Sequence, residues 1–102
     1  MTAEELYEKG RSHLEAEESE AAEEAFIQAI ELEPEWGELW HTLGALYFEQ
    51  EKYEEAVETF RQAVALEEEN AAFQLSLARS YAYTRQVEEA TEAYQQAIRL
   101  DR

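Results

Sequence analysis

Apolar residues recur at three- and four-residue steps in six stretches of the chain, and short polar stretches separate them. This spacing places the apolar side chains on one face of an α-helix, which predicts an amphipathic helix in each stretch. Only three Gly and one Pro interrupt a sequence rich in Ala, Glu, Leu and Gln, so strands have little support. The predicted helices run from about Ala3 to Ala16, Glu20 to Leu32, Gly37 to Gln50, Tyr53 to Leu66, Ala71 to Thr84 and Val87 to Leu100.

Polar residues at the predicted helix ends support these boundaries. Thr2 with Glu5 three residues later forms a capping box, and Ser19 and Asn70 are predicted N-caps. Pro34 ends the second helix because it cannot continue the helical hydrogen bonds. Connections this short make neighbouring helices run antiparallel, so the sequence predicts three helical hairpins.

The apolar pattern also repeats with a period of 34 residues. A period of this length is typical of architectures in which each unit is one hairpin that buries its apolar face only by stacking on its neighbours. The residues that share one place in the period are Gly10, Gly44 and Ala78; Ala22, Ala56 and Ala90; Phe26, Phe60 and Tyr94; Ala29, Ala63 and Ala97; and Leu32, Leu66 and Leu100.

The middle unit resembles the tetratricopeptide repeat, whose signature has the same residue types at the same spacings. The third unit has Gln74 where the signature has Trp, and the first has Lys9 and His13 at apolar or aromatic places. The resemblance implies an all-α, right-handed α-solenoid of three antiparallel hairpins. It implies a single domain over residues 1–102, with repeats at about 3–36, 37–70 and 71–102. The residues that carry it are Trp40, Leu43, Gly44, Tyr47, Ala56, Phe60 and Ala63.

Proteins of this family bind peptides in a concave groove lined by the first helix of each hairpin, and the resemblance implies the same surface here. Arg11 and Arg79 share one place in the first and third units, while the small Ala45 lies between them and leaves room for a ligand. Aromatic and aliphatic side chains around them would act as anchors. The residues expected to face the groove are Glu4, Tyr7, Arg11, Leu14, His41, Thr42, Ala45, Phe48, Leu75, Ser76, Arg79, Ala82 and Tyr83.

One known binding mode of the family can be tested residue by residue. Family members that capture the acidic C-terminal tails of heat-shock chaperones use a two-carboxylate clamp of Lys, Asn, Asn, Lys and Arg. The corresponding residues here are Tyr7, Arg11, Thr42, Ala72 and Ser76. The clamp is therefore absent, and chaperone-tail binding is not the expected function.

The charge of the chain narrows the class of partner. Its 102 residues include 25 acidic and 8 basic side chains, and the formal net charge of −17 opposes binding to nucleic acid or to an anionic membrane surface. The sequence has no cysteine, no apolar run near the ~20 residues that span a bilayer, and no basic, apolar start like that of a secretory signal. We therefore expect a cytoplasmic protein whose partner is a protein or peptide.

The sequence shows no catalytic constellation, so we expect neither an enzyme nor a cofactor or metal site. His13 and His41 fall at different places in their units, without a Ser or Cys nucleophile motif nearby. His13 takes the place of Tyr47 and Tyr81, which predicts a partly buried histidine. Acidic runs such as residues 67–69 lack the spaced Asp and central Gly of a calcium loop and predict a solvated surface.

The sequence thus predicts a protein-interaction module that binds a peptide or helical segment in its concave groove. The alternative is a structural or self-assembling repeat scaffold, natural or engineered, with no peptide ligand. Val87, Tyr94 and Ile98 on the last hairpin have no predicted helix to cover them. This predicts a homo-oligomer through the C-terminal hairpin, opposed by the net charge and favoured by salt.

Overall fold

The computed structural model describes residues 1–101, and these form six α-helices and no strand. Every helix predicted from the sequence is present, with its ends within one residue of those expected, which confirms the all-α class. None of the described helices has both the length and the apolar composition that crossing a bilayer requires. The helices are α1 (Ala3–Glu15), α2 (Ser19–Leu32), α3 (Gly37–Glu49), α4 (Tyr53–Leu66), α5 (Ala71–Tyr83) and α6 (Val87–Leu100).

Consecutive helices pack as three antiparallel hairpins, α1 with α2, α3 with α4 and α5 with α6. The hairpins stack side by side through α2 on α3 and α4 on α5, which forms the predicted α-solenoid of 39 × 24 × 20 Å. The first helices begin at Ala3, Gly37 and Ala71, at 34-residue steps, and the second helices follow the same step. The first helices of successive hairpins therefore lie next to one another along one side of the stack.

Two of the predicted helix caps are confirmed. The Thr2 hydroxyl accepts a hydrogen bond from the Glu5 amide at 3.1 Å, and the Thr2 amide donates to the Glu5 carboxylate at 2.8 Å. Asn70 accepts through its side-chain oxygen from the Phe73 amide at 3.0 Å. These bonds satisfy amide groups that the first turn of a helix leaves without partners.

A tight turn joins the two helices of each hairpin through one residue in the left-handed region. The amide of the next residue donates a hydrogen bond back to a carbonyl near the end of the first helix, as the Glu18 amide does to the His13 carbonyl at 2.8 Å. This bond satisfies a carbonyl that the last turn of the helix leaves without a partner. This turn starts α2 at Ser19, so the prediction that Ser19 caps α2 is wrong. The N-cap is Glu18, whose side chain makes no capping hydrogen bond. The left-handed residues, with φ of 60°, 63° and 64°, are Glu17, Glu51 and Arg85.

Glycine lets the helices of the first two hairpins approach closely. A Cβ added at Gly44 would lie 2.7 Å from Cδ1 of Phe60, and one added at Gly10 would lie 2.5 Å from Cε1 of Phe26. Both rings are buried, so the missing Cβ is what admits them between the helices. Trp40 is only half-buried and packs against the core of the first interface, where its Nε1 donates to the Pro34 carbonyl at 2.8 Å.

Candidate binding groove

A cavity of about 380 Å³ opens on the side of the stack where the first helices converge. One helix from each hairpin contributes to it, because α1, α3 and α5 lie side by side there, and α4 adds one ring from behind. The sequence-predicted residues that the structure brings together here are Leu14, His41, Thr42, Ala45, Phe48, Ser76 and Arg79, and the further lining residues are Leu46, Glu49 and Phe60.

His41 is fixed on one wall of this cavity by contacts from two other helices. Its ring stacks on Phe73 of α5, with centroids 4.7 Å apart and planes at 18°, and lies 5.3 Å from the ring of Phe60 of α4. Its Nε2 lies 2.8 Å from the hydroxyl oxygen of Ser76. Burial lowers the pKa of His41 below its usual value of about 6.5, against the opposing effect of the nearby Glu38 carboxylate. The wall therefore carries a neutral imidazole near neutral pH.

Arg79 brings positive charge to the cavity. Its guanidinium carbon lies 5.7 Å from the centre of the Phe48 ring, within the range of a cation–π contact. Between residues 1 and 101, no carboxylate lies within 4.0 Å of this guanidinium. A guanidinium that stacks on a ring keeps N–H donors at its edge, so Arg79 can hold a carboxylate or a carbonyl of a ligand.

Aromatic rings continue the surface beyond the cavity. The Tyr83 ring lies 5.0 Å from Phe48 and 4.6 Å from Tyr53, and Phe48 and Tyr53 are 5.1 Å apart, which makes one three-ring cluster. Tyr83 is largely exposed on top of this cluster, next to the cavity but outside its lining. The cluster offers a ligand an apolar surface with fixed ring positions.

The remaining predicted groove residues lie away from the cavity. Tyr7 packs on Trp36 and Phe26, at 5.4 and 6.0 Å, and Arg11 stacks on Tyr7 at 5.7 Å, near the start of the solenoid. Leu75 takes the place in α5 that His41 has in α3, but no further hairpin packs on it within the described residues, so it is exposed. The sequence-predicted set therefore separates into a central cavity and two outer ends.

Leu46, Glu49, Phe60 and Tyr53 belong to this surface but are not among the groove residues predicted from the sequence, and Glu49 and Tyr53 illustrate two different reasons. Glu49 lies seven residues after Thr42 and four after Ala45, so helical spacing alone places it on the same face and could have found it. Tyr53 begins α4, and only the turn between α3 and α4 brings its ring to Phe48. No local sequence pattern reports that contact.

Stacked helical hairpins with a groove along their first helices define a helical repeat protein. The sequence matches the family "Tetratricopeptide repeat" over residues 7–65 and again over residues 41–102. These matches cover most of the chain, which therefore belongs to the tetratricopeptide repeat family. No curated protein matches the sequence.

Several solved structures share this fold. The crystal structure of MamA superposes with a TM-score of 0.93 at 21% identity, over 98% of this chain and 58% of the MamA chain. The second TPR of Spaghetti (RPAP3), bound to the HSP90 peptide SRMEEVD, gives 0.91 at 19% identity, over 98% of this chain and 93% of that chain. A chain of the CopN–Scc3 complex gives 0.87 at 21% identity, over 93% of this chain and 56% of that chain. At these identities the likeness establishes the fold.

Proposed function

We propose that this chain is a protein-interaction module that binds a peptide or a helical segment in the groove centred on the 380 Å³ cavity. The observation that carries the proposal is the combination of an open apolar cavity with Arg79, whose guanidinium stacks on Phe48 without a carboxylate partner among residues 1–101. Solved structures of the same fold include one bound to the peptide SRMEEVD and one from a protein complex, which supports a role in binding. The matched family is defined by a structural repeat, and no catalytic family is indicated. We therefore expect no enzymatic activity.

The chemistry of the groove favours a ligand with apolar anchors and few acidic groups. The cavity beside Ala45 accepts one apolar side chain, and the ring cluster around Tyr83 accepts another. Arg79 holds a single carboxylate or a backbone carbonyl, and Arg11 offers a second, outer donor. Glu49 on the cavity wall and the net charge of −17 disfavour a uniformly acidic peptide.

Selection from a random peptide library, followed by titration of the selected peptide, tests this proposal. We expect micromolar affinity, and a loss of roughly thirtyfold, or about 2 kcal/mol, in Arg79→Ala because the ligand loses its polar partner. Ala45→Trp should cause a similar loss because the indole fills the cavity. The acidic peptide SRMEEVD should bind more weakly than the selected peptide, since the clamp residues are absent.

Glu58→Ala is the matched control, because Glu58 is exposed on α4 and does not line the cavity. Its affinity for the selected peptide should equal that of the parent. Equal losses in Arg79→Ala and Glu58→Ala, or unchanged binding to Ala45→Trp, would place the binding surface elsewhere and contradict the proposal.

Self-association through the C-terminal hairpin is the second candidate function. Val87 is 69% and Ile98 67% exposed, while Tyr94 is half-buried beside them. The net charge of −17 opposes contact between copies, so we expect any dimer to strengthen at high salt, where exposed charges are screened. Light scattering at rising concentration checks this, and a strict monomer in both low and high salt would exclude it.

A further inference from the structure

A second cavity, of about 520 Å³, opens between α4, α5 and α6 and shares no lining residue with the cavity of the groove. Its volume lies in the range that small-molecule ligands occupy in proteins. The lining combines buried or half-buried apolar side chains with an exposed charged rim. The apolar residues include Val64, Leu77 and Ala93, and the charged ones are Arg61, Glu68, Glu89 and Glu92.

The first interface between hairpins shows what fills the equivalent place. Trp40 stands there, 34 residues before Gln74, and its half-buried indole packs against the first core. Its Nε1 donates to the Pro34 carbonyl at 2.8 Å. Gln74 donates to the equivalent carbonyl, that of Glu68, at 3.2 Å, but it has no ring. The second cavity therefore lies where the first interface has an indole, and it leaves room for a flat aromatic ring.

Polar groups without partners line this cavity. Gln74 is only 9% exposed, and its Oε1 accepts no hydrogen bond from the part of the chain that the structure describes. In the first interface, the Tyr47 hydroxyl donates to the Glu23 carboxylate at 3.2 Å. Val57 takes the place of Glu23 in α4, so the Tyr81 hydroxyl lacks this acceptor. A buried amide oxygen without a donor favours a ligand that brings an N–H group.

The rim selects the charge of the ligand. Arg61 is the basic residue of the lining, and it already pairs with the Glu58 carboxylate at 3.3 Å. Among the described residues, no cationic side chain lies within 4.0 Å of the carboxylates of Glu68, Glu89 and Glu92. The rim therefore attracts a cation and repels an anion.

We propose that the second cavity is a binding site for a small aromatic amine, distinct from the groove. The ring lies over Leu77 beside Gln74, in the place equivalent to that of the Trp40 indole, and the ammonium group faces the glutamates of the rim. The N–H groups of the ligand bond to Gln74 Oε1 and the Tyr81 hydroxyl.

Tryptamine is the probe, because it joins an indole ring to an ammonium group. Ligand-observed NMR titration should show saturable binding to the full chain with a dissociation constant of about 1 mM or lower. Two control ligands separate ring from charge. Indole-3-acetate has the same ring with a carboxylate, and hexylamine has the ammonium group without a ring. Each should bind at least ~10-fold more weakly than tryptamine.

Tryptophan variants locate the bound ring. Gln74→Trp places an indole in the second cavity and should weaken tryptamine binding by ~10-fold or more. Ala45→Trp adds the same side chain to the groove and should leave tryptamine binding unchanged. Circular dichroism and thermal unfolding check that both variants are folded.

Charge variants test the role of the rim without filling the cavity. Glu89→Gln with Glu92→Gln should weaken tryptamine binding by ~3-fold or more, because two carboxylates that face the ammonium group are lost. Glu20→Gln with Glu24→Gln is the matched control, since it removes the same charge from α2, away from the second cavity. This control should bind tryptamine as the parent does.

Five results would each overturn the proposal. They are no saturable binding at about 5 mM tryptamine, equal binding of either control ligand, undiminished binding to Gln74→Trp, loss of binding in Ala45→Trp, and equal losses in the two glutamine variants. Binding of the dipeptide N-acetyl-tryptophanyl-lysine amide without binding of tryptamine would also overturn it, because a partner protein would then supply the ring.

Discussion

At the scale of single residues, the absence of one Cβ decides how the hairpin of α3 and α4 packs. Ala is a better helix former than Gly by about 1 kcal/mol, so propensity alone predicts that Gly44→Ala stabilises the chain. The structure predicts the opposite, because the added Cβ would lie 2.7 Å from the buried Phe60 ring. We expect a net loss of about 1–3 kcal/mol in the free energy of unfolding, measured in urea.

The double variant Gly44→Ala with Phe60→Leu separates the clash from a general effect on α3. A smaller side chain at Phe60 makes room for the Cβ, so Gly44→Ala should cost less in this background than in the parent. Stabilisation by Gly44→Ala in the parent would show that the ring does not need the space.

His41 makes the stability of the fold depend on pH. Burial between Phe73 and Phe60 lowers its pKa, so the unfolded chain, with a histidine pKa near 6.5, binds more protons than the folded chain in mildly acidic solution. The stability that neutral His41 contributes is complete above pH 6.5 and is lost as the pH falls from there through the lowered pKa. Thermal midpoints between about pH 7.5 and 5 should therefore fall more in the parent than in His41→Gln.

The comparison with His41→Gln matters because the carboxylates also begin to take up protons at low pH. Their protonation weakens the mutual repulsion of 25 acidic side chains in both proteins, so only the difference between the two profiles reports His41. Parallel profiles of thermal midpoint against pH in the parent and in His41→Gln would contradict the lowered pKa of His41.

At the scale of helices, the sequence predicts the elements well because each helix carries its own apolar stripe and short connections. The same local pattern fails at Ser19, where the left-handed turn at Glu17 sets the start of α2. It also fails at Tyr53, whose contact with Phe48 arises from the packing of two helices. Contacts between elements depend on how the hairpins meet, which the periodicity of one helix does not specify.

The two interfaces between hairpins differ at one such position. Trp40 donates from Nε1 to the Pro34 carbonyl at 2.8 Å, and Gln74, at the same place in α5, donates from Nε2 to the Glu68 carbonyl at 3.2 Å. The smaller Gln74 lines a cavity of about 520 Å³ between α4, α5 and α6. The third hairpin thus keeps the hydrogen bond but not the packing of the indole.

Gln74→Trp should therefore stabilise the chain by about 0.5–2 kcal/mol, since the indole fills part of this cavity and its Nε1 can donate to the Glu68 carbonyl. Thermal and urea unfolding measure the change. Gln62→Trp, on the exposed face of α4, is the control and should have little effect. A lower midpoint for Gln74→Trp would indicate that α5 packs too tightly on α4 for the ring.

At the scale of the whole molecule, the sequence predicts a stack of hairpins with a groove. In the structure, the predicted groove residues lie in separate places, some around one cavity and others at the two ends of the stack. Most of them line one cavity because α1, α3 and α5 converge there, whereas Leu75 lies at the exposed end of the described helices and Tyr7 packs at the other end. The period identifies which residues are equivalent. It does not identify which of the equivalent residues has a neighbouring hairpin packed on it. The presence of that neighbouring hairpin decides whether the side chain is buried.

The charge of the whole molecule leads to the last prediction. Among residues 1–101, the ion pairs between arginine and a carboxylate are Arg11 with Glu8 and Arg61 with Glu58, both exposed, so most of the acidic side chains have no cationic partner. Their repulsion acts in the compact state more than in the expanded unfolded chain. Raising the salt from about 20 mM to about 300 mM shortens the screening length severalfold and should raise the thermal midpoint.

Replacing Glu24, Glu31 and Glu92 with Gln tests the cause of this salt dependence, because these glutamates lie outside the first turns of α2 and α6, where a negative charge would stabilise the helix N-terminus. These side chains are exposed, so the substitutions remove negative charge without disturbing the core. The variant should have a higher midpoint than the parent at low salt and a smaller rise with salt, because fewer charges remain to be screened. Measurements at concentrations where light scattering shows a monomer exclude any contribution from self-association. A midpoint that does not change with salt would mean that repulsion does not limit the stability of this acidic fold.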